Sequence, residues 1–512
     1  MPTTGATVAD RSEDDAPGPL RWLGLRAMPL VPAVVALAIA LAGIRGPSFW
    51  LDEAATVSAT GRPVPEMLRL FENLDLVHAL YYLIMRPWVM LFGTGELALR
   101  LPSALATAAA AGGVAVIGRR CLGPAAGLLA GLMYGGTVSV TRFAQEARSY
   151  AMVTAVAVLA TYLLIRGMRE GGRHPWRWFA GYGLVIVVLG LLNLNAVFLV
   201  PAHAATLLAA RPKAAGTWLR WLVASGLAAV ALLPFALAAR GQDFQVDWLP
   251  EPSWNMVWTL VRFMAGGVGL VAPVLLLALI GAFAGFGRRE GRSLTAVALP
   301  WLVVPPTLML VVSLLGEPLF MYRYVVFCLP ALALLTGAGL ARIAALGRPA
   351  VGGLVLAAVV AALVVASVPR HEAVRRQDSR PDDLRTPAEI VRANAQDGDV
   401  LVYLAEVVRW GASAYPDAYH RPRDAAMRRS PVQAANLKGR STFPRELRRP
   451  LRSASRVWVM NSRSVGTPLA PLVQRRVEIV REMGPWRVAG TWKYRGGKLT
   501  LYERTAPYRG SR

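Results

Sequence analysis

Apolar runs close to the length that crosses a bilayer recur from residue 28 to residue 368, and no other feature limits the fold so sharply. An α-helix rises about 1.5 Å per residue, so about 20 apolar residues cover a hydrocarbon core roughly 30 Å thick. The runs are Met28–Ile44, Leu97–Ile117, Ala125–Val140, Ala151–Ile165, Phe179–Leu192, Ala196–Ala209, Trp218–Ala238, Val268–Phe286, Leu294–Leu315, Tyr324–Ala344 and Val351–Val368. Lipid offers the backbone no hydrogen-bond partners, so such runs must be helices. They predict a polytopic α-helical membrane protein with about eleven spans. Only 17% of residues are charged, against about 25% in soluble domains.

Charge orients the spans. The formal net charge is +25, and much of it lies in short loops and in the C-terminal third. The short basic loops are Arg119-Arg120, Arg166–Arg177, Arg211–Lys213, Arg288–Arg292 and Arg342–Arg348. An inside N-terminus, carrying Arg21 and Arg26, puts all five on the cytoplasmic side by alternate counting. Residues 1–26 read as a disordered cytoplasmic tail and residues 27–368 as the membrane domain. Residues 369–512 then fall outside the cell. His78–Phe92 is apolar but short, and Arg86-Pro87 interrupts it, so it reads as an interfacial or re-entrant helix. The first apolar run reads as a retained span, not a cleaved signal. The Arg-, Ala- and Gly-rich composition points to a bacterial plasma membrane. The basic balance fits the positive-inside bias and anionic lipid, and nucleic acid is excluded as a partner.

Residues 369–512 read as a soluble α/β domain. Pro387–Gln396 and Leu469–Met483 have helical patterning, and Asp399–Leu404 and Arg456–Met460 are strand-like. Trp492–Tyr494 and Lys498–Tyr502 flank Arg495-Gly496-Gly497 as a hairpin. There is no internal repeat. Cys121 and Cys328 form no metal-type spacing and fit packing positions.

Four polar clusters fall on the outer side of this arrangement. They are Asp52-Glu53, then Asp75 with His78, Tyr81 and Tyr82, then Gln145-Glu146-Ala147-Arg148-Ser149-Tyr150, and finally Tyr322-Arg323-Tyr324. Taken singly, each has an ordinary explanation: solvated acids, snorkelling arginines, a structural histidine, an aromatic belt. Together they gather carboxylates, a histidine and arginines at one membrane face. Arginines there suit a phosphate, through paired hydrogen bonds and a permanent charge. A nearby carboxylate can take a proton from a hydroxyl. The set fits transfer of a group from a lipid phosphate to an alcohol. No Gly-rich phosphate loop is present, which favours a lipid-linked sugar over a nucleotide sugar as donor.

The stretches WLDEA, LDLVHALYYLIMRPWVMLFG, ELALRLPSALA, RFAQEARSYA and YRYVVFCLPALALL, in that order, resemble the GT-C membrane glycosyltransferases. The resemblance is to the dolichyl-phosphate-mannose protein mannosyltransferase-like group, nearest its actinobacterial polyprenyl-phosphate-mannose-dependent branch, and covers roughly residues 27–345. It implies a catalytic acid in the first outer loop, matched by Asp52 with Glu53 beside it. It also implies an outward-facing cavity fed by a polyprenyl-phosphate sugar, and inverting displacement. The acceptor would be an envelope glycan, glycolipid or protein. Asp52 would deprotonate the acceptor hydroxyl. Arg148 or Arg323 would stabilise the departing phosphate, with Gln145, Glu146, Tyr150 and Tyr324 lining the donor side. Glu53 either orients the acceptor or holds Asp52 in place with an arginine. Asp75, His78, Tyr81 and Tyr82 match an acceptor-loop pattern, but His78-Ala79-Leu80-Tyr81 lacks the two prolines of an H-P-P-L-Y motif. No cofactor is firmly implied. A divalent cation is compatible with the carboxylates, although no complete ligand set is legible. The competing classes are a lipid or solute transporter and a non-catalytic relative. The mid-regions of the spans carry almost no ionisable residues, which disfavours a transport path.

Overall fold

The computed structural model describes residues 27–168, 174–212, 216–242, 249–283, 289–462 and 471–507. The expected tail with Arg21 and Arg26 lies outside them, as do Lys213, Arg288, Leu469 and the middle of the Arg166–Arg177 loop. Among the described residues, seven helices are long and apolar enough to cross a membrane. They are Glu96–Leu122, Tyr150–Gly167, Pro175–Leu192, Thr217–Arg240, Leu294–Leu315, Tyr322–Ala344 and Pro349–Arg375. A pair bent by 68°, Trp254–Ala265 with Val268–Phe283, makes an eighth if counted as one span. The other expected spans become shorter apolar helices, Leu30–Leu41, Pro124–Gly135 and Leu194–Ala210.

Differences from the sequence reading have local causes. Ala125–Val140 is not continuous: the chain turns at Gly136 and restarts as Val138–Ala144. The last apolar helix passes Val368 and Pro369 and ends at Arg375, whose guanidinium donates to the Ile39 carbonyl at 2.9 Å. Ala79–Phe92 is a helix of 14 residues, about 21 Å long at the helical rise and short of the hydrocarbon core. It leaves Met90, Leu91 and Phe92 exposed.

Helix contacts in the membrane part rely on small residues, as expected where lipid gives no hydrophobic drive to association. A Cβ on Gly281 would sit 1.9 Å from the Leu335 carbonyl oxygen, and one on Gly339 would sit 2.1 Å from that of Leu277. Only glycine allows these two helices to approach so closely.

The C-terminal part is a mixed five-stranded sheet. Its order is Arg423–Asp424, Val400–Tyr403, Arg456–Ser462, Gly497–Arg504, Trp486–Tyr494. The first three are parallel and the last two close as an antiparallel hairpin. Alternation along Val400–Tyr403 sends Val400 and Val402 to a core with Ile479 and Val480 of helix Pro471–Glu482. Leu401 and Tyr403 go to the other face, with Val391 of helix Arg385–Asn394. Period-two alternation with both faces covered is what buried parallel strands require. A second, two-stranded ribbon pairs Met427–Arg429 with Arg440–Ser441.

The two parts meet around residues 45–53. The Ser48 amide donates to the Gln377 carbonyl at 2.9 Å, and the Leu384 amide to that of Phe49 at 3.2 Å. The C-terminal sheet therefore lies on the same side of the molecule as the first loop.

Candidate active site

Asp52 and Glu53 open a helix, Leu51–Thr60, in its first turn. Acids are favoured there by the helix dipole and its unpaired amides. Their surroundings differ. Glu53 is fully buried. Arg100 donates to both of its oxygens, Nε to Oε1 and Nη2 to Oε2, each at 2.8 Å. The Ala147 amide donates to Oε1 at 2.9 Å. Arg100 also donates to the carbonyls of Ile44, Pro47 and Ser48. Asp52 keeps a quarter of its side chain exposed, and its Oδ2 lies 3.5 Å from Nη1 of Arg323.

Arg323 sits at the start of the helical segment Tyr322–Cys328. Its guanidinium lies 5.6 Å from the Trp50 ring centre and 5.7 Å from that of Tyr324. Cation–π contact with two aromatic faces steers a long, flexible side chain toward Asp52.

Gln145–Ser149 is the short stretch between helices Val138–Ala144 and Tyr150–Gly167. The Gln145 side-chain amide donates to the carbonyls of Ala40 and Ala42, each at 2.8 Å, tying the end of the first apolar helix. Arg148 is nearly buried. Its Nη1 donates to the Tyr82 hydroxyl at 3.1 Å and to the Asp52 carbonyl at 3.3 Å. Its Nη2 contacts Nε2 of His78. Guanidinium cannot accept a hydrogen bond, so this ring nitrogen accepts and the histidine proton is on Nδ1.

Tyr82 in turn donates to Oδ2 of Asp75 at 2.8 Å. Asp75 has a left-handed backbone with φ +60°, a conformation that aspartate tolerates better than most residues. Burial pushes its carboxyl above the ordinary range, with Arg148 and the Tyr82 hydroxyl opposing. Tyr81 is fully buried beside Tyr82, with ring centres 5.9 Å apart. Tyr150 is nearly buried, edge-on to Phe143 at 5.0 Å.

Glu146 is buried, and among the described residues neither carboxylate oxygen has a hydrogen-bond partner. Burial raises its pKa, against the pull of Arg380 and Arg142. Arg380, itself fully buried, donates to the carbonyls of Arg142 and Gln145 at 3.1 and 3.0 Å.

All four sequence clusters thus meet. Asp52, Arg323, Arg148, His78, Tyr82 and Asp75 form one connected group, while Glu53, Gln145 and Glu146 lie in the packing behind it. Arg100 and Arg380 had not been singled out as site residues. Arg100 was legible as the arginine of ELALRLPSALA, but Arg380 comes from a segment with no periodic pattern. Among the described residues, no three His, Cys, Asp or Glu side chains converge as a metal ligand set. The cation beside Asp52 is Arg323.

Residues 79–238 match the family model for dolichyl-phosphate-mannose-protein mannosyltransferase. No curated protein matches the chain. Among solved structures, ArnT from Cupriavidus metallidurans in the apo state is similar, with TM-score 0.60 and 14% identity, covering 92% of this chain and 97% of that one. The same protein bound to undecaprenyl phosphate aligns equally well, with TM-score 0.60 and 14% identity over the same 92% and 97%. Archaeal oligosaccharyltransferase AglB from Archaeoglobus fulgidus, in complex with an inhibitory peptide and a dolichol-phosphate, gives TM-score 0.52 at 10% identity over 87% of this chain and 70% of that one. The chain has the ArnT-like GT-C fold, and its residues 79–238 resemble the mannosyltransferase family.

Proposed function

We propose that this GT-C-fold chain is an integral-membrane glycosyltransferase that moves a sugar from a polyprenyl-phosphate donor to a hydroxyl acceptor on the outer face. One observation carries the reading: Asp52, partly open, stands between Arg323 and an Arg148 held by Tyr82 and His78. The ArnT structure with undecaprenyl phosphate and the AglB structure with dolichol-phosphate support a lipid-phosphate donor. The family description supports mannose as the sugar and a protein as acceptor, and an envelope glycan or glycolipid offers the same hydroxyl chemistry. A bacterial plasma membrane, with the C-terminal domain outside, fits the loop charges.

Asp52 takes the proton of the acceptor hydroxyl. The oxygen attacks the anomeric carbon as the bond from that carbon to the phosphate oxygen breaks, with inversion. The lipid phosphate leaves with the bonding pair. Arg148 and Arg323 lower the cost of its growing charge, since donors already in place need no reorganisation. The Asp52–Arg323 distance of 3.5 Å exceeds the usual 2.7–2.9 Å of a tight charge-assisted bond, so this ion pair is not a tight one. Glu53 carries no proton in this scheme and holds the loop through Arg100.

The test is transfer by purified protein in nanodiscs. A panel of radiolabelled polyprenyl-phosphate sugars is offered with an envelope lipid extract, comparing the native chain with Asp52→Asn. Transfer from one donor, lost at least about 100-fold in the variant while the variant stays folded, is the expected outcome. Equal transfer by both chains removes Asp52 from the role of base. Ion-coupled uptake without transfer would favour a transporter.

A further inference from the structure

Between residues 425 and 452 the chain carries eight Arg or Lys and one acid, Glu446. These residues form the short ribbon Met427–Arg429 with Arg440–Ser441, its connecting loop, and the turn that follows. Arg428, Arg429, Lys438, Arg440 and Arg445 are exposed. None of them is in an ion pair among the described residues. Glu446, the acid among them, is taken up by the Phe443 amide at 3.0 Å. So many unpaired cations on one small surface repel one another, and a facing anion relieves that.

The cations are interleaved with apolar side chains that a soluble polyanion would not need. Phe443 is 55% exposed, Met427 40% and Val432 39%. Arg428 and Arg445 lie 5.9 and 5.8 Å from the centre of the Phe443 ring. Arginine with exposed aromatic and aliphatic groups is the composition of a surface resting among lipid headgroups.

The position agrees. Arg62 donates to the Asn436 carbonyl in the ribbon's loop at 2.6 Å. Arg62 lies two residues before the start of the amphipathic helix Val64–Asn73, which leaves Val64 and Leu68 exposed. The apolar helix Ala79–Phe92 follows, with Met90, Leu91 and Phe92 exposed. The basic ribbon is therefore continuous with a ledge that exposes the apolar Val64, Leu68, Met90, Leu91 and Phe92 beside the polar Arg69, Glu72 and Asn73.

We propose that the 427–445 surface docks on the anionic phospholipid headgroups of the leaflet bordering the candidate site, and so fixes the C-terminal sheet against the membrane. This holds whether or not the chain transfers a sugar. Attraction of this kind needs anionic lipid and weakens with salt.

The test places a fluorophore on a single introduced cysteine, Val432→Cys, in the full chain. Cys121 and Cys328 are buried and do not compete for label. The protein is reconstituted in nanodiscs containing a nitroxide-headgroup lipid, with either phosphatidylcholine alone or added phosphatidylglycerol. Strong quenching in the anionic discs is expected, falling to the neutral-disc level at high salt. It should fall likewise in R428A/R429A/R440A/R445A, with unchanged thermal midpoint. Equal quenching in both discs, or quenching insensitive to the four substitutions, overturns the proposal. So does tight binding of soluble polyphosphate to the protein in neutral discs without lipid-dependent quenching, which would assign the surface to a soluble polyanion.

Discussion

Asp52 and Glu53 are neighbours in sequence, and one helical turn gives them opposite settings. Consecutive helical positions point about 100° apart, so one can face an opening while the other faces the packing. Glu53 is buried and accepts from Arg100 and from Ala147. Removing one member of such a pair leaves a buried charge uncompensated, at a typical cost of about 3–5 kcal/mol. Arg100→Ala should therefore lower the thermal midpoint in detergent sharply, and Glu53→Gln added to it should recover part of the loss. Asp52→Asn, breaking a partly exposed pair worth at most about 1 kcal/mol, should leave the midpoint nearly unchanged. A midpoint that moves as much for Asp52→Asn as for Arg100→Ala would sink this division. The sequence signalled both acids, because carboxylates are rare beside apolar runs. The resemblance put Asp52 in the place of the base, but that Arg100 holds Glu53 was not legible, because the two are 47 positions apart.

At the scale of elements, the 145–149 stretch is the hinge of the site. Gln145 fastens it to the first apolar helix, Ala147 to Glu53, Arg148 to the Tyr82 cluster and Arg380 to the C-terminal part. Glu146 sits inside this knot, with its carboxyl shifted upward mainly by burial. A carboxyl whose folded pKa is raised binds its proton more tightly in the folded state. Its stabilising contribution is full below the unfolded pKa of about 4.3, and is lost as pH rises through the folded value. The native chain should thus lose midpoint across that window, and Glu146→Gln, neutral throughout, should flatten the curve. A native curve that rises there, or a variant that follows it in parallel, excludes Glu146 as the titrating group. Elements were legible to different degrees. Long apolar runs wrote themselves as helices, and the Arg495-Gly496-Gly497 hairpin closed as expected between Trp486–Tyr494 and Gly497–Arg504. The amphipathic helix Trp254–Ala265 and the strand Arg423–Asp424 were not legible. A short strand takes its identity from its neighbours, and the 68° bend after Ala265 interrupts the apolar period.

Over the whole molecule, the C-terminal sheet domain is joined to the loop that leads into the Asp52 helix, and this juncture could not be read from composition. Alternate counting of basic loops put the sheet and the polar clusters on one side. It gave no reason for them to touch. Arg385 donates to Oε1 of Glu96 and to the carbonyls of Arg45, Gly46 and Pro47. Tyr415 donates to the same Glu96 oxygen at 2.7 Å and accepts from the Phe49 amide at 3.2 Å. Residues 45–49 are thereby gripped from the C-terminal side, a few positions before Asp52. Displacing a reacting group by about 1 Å can cost on the order of 100-fold in rate. The double change Arg385→Gln with Tyr415→Phe should therefore cut kcat of the proposed transfer about 10–100-fold while donor KM changes little. It should also speed amide exchange in residues 45–60. Among the described residues, the side-chain hydrogen bonds of Arg385 and Tyr415 go to Glu96 and to residues 45–49, so their loss should loosen that segment first. A loss confined to KM, or unaltered exchange with full turnover, would make the C-terminal domain a passenger on the loop.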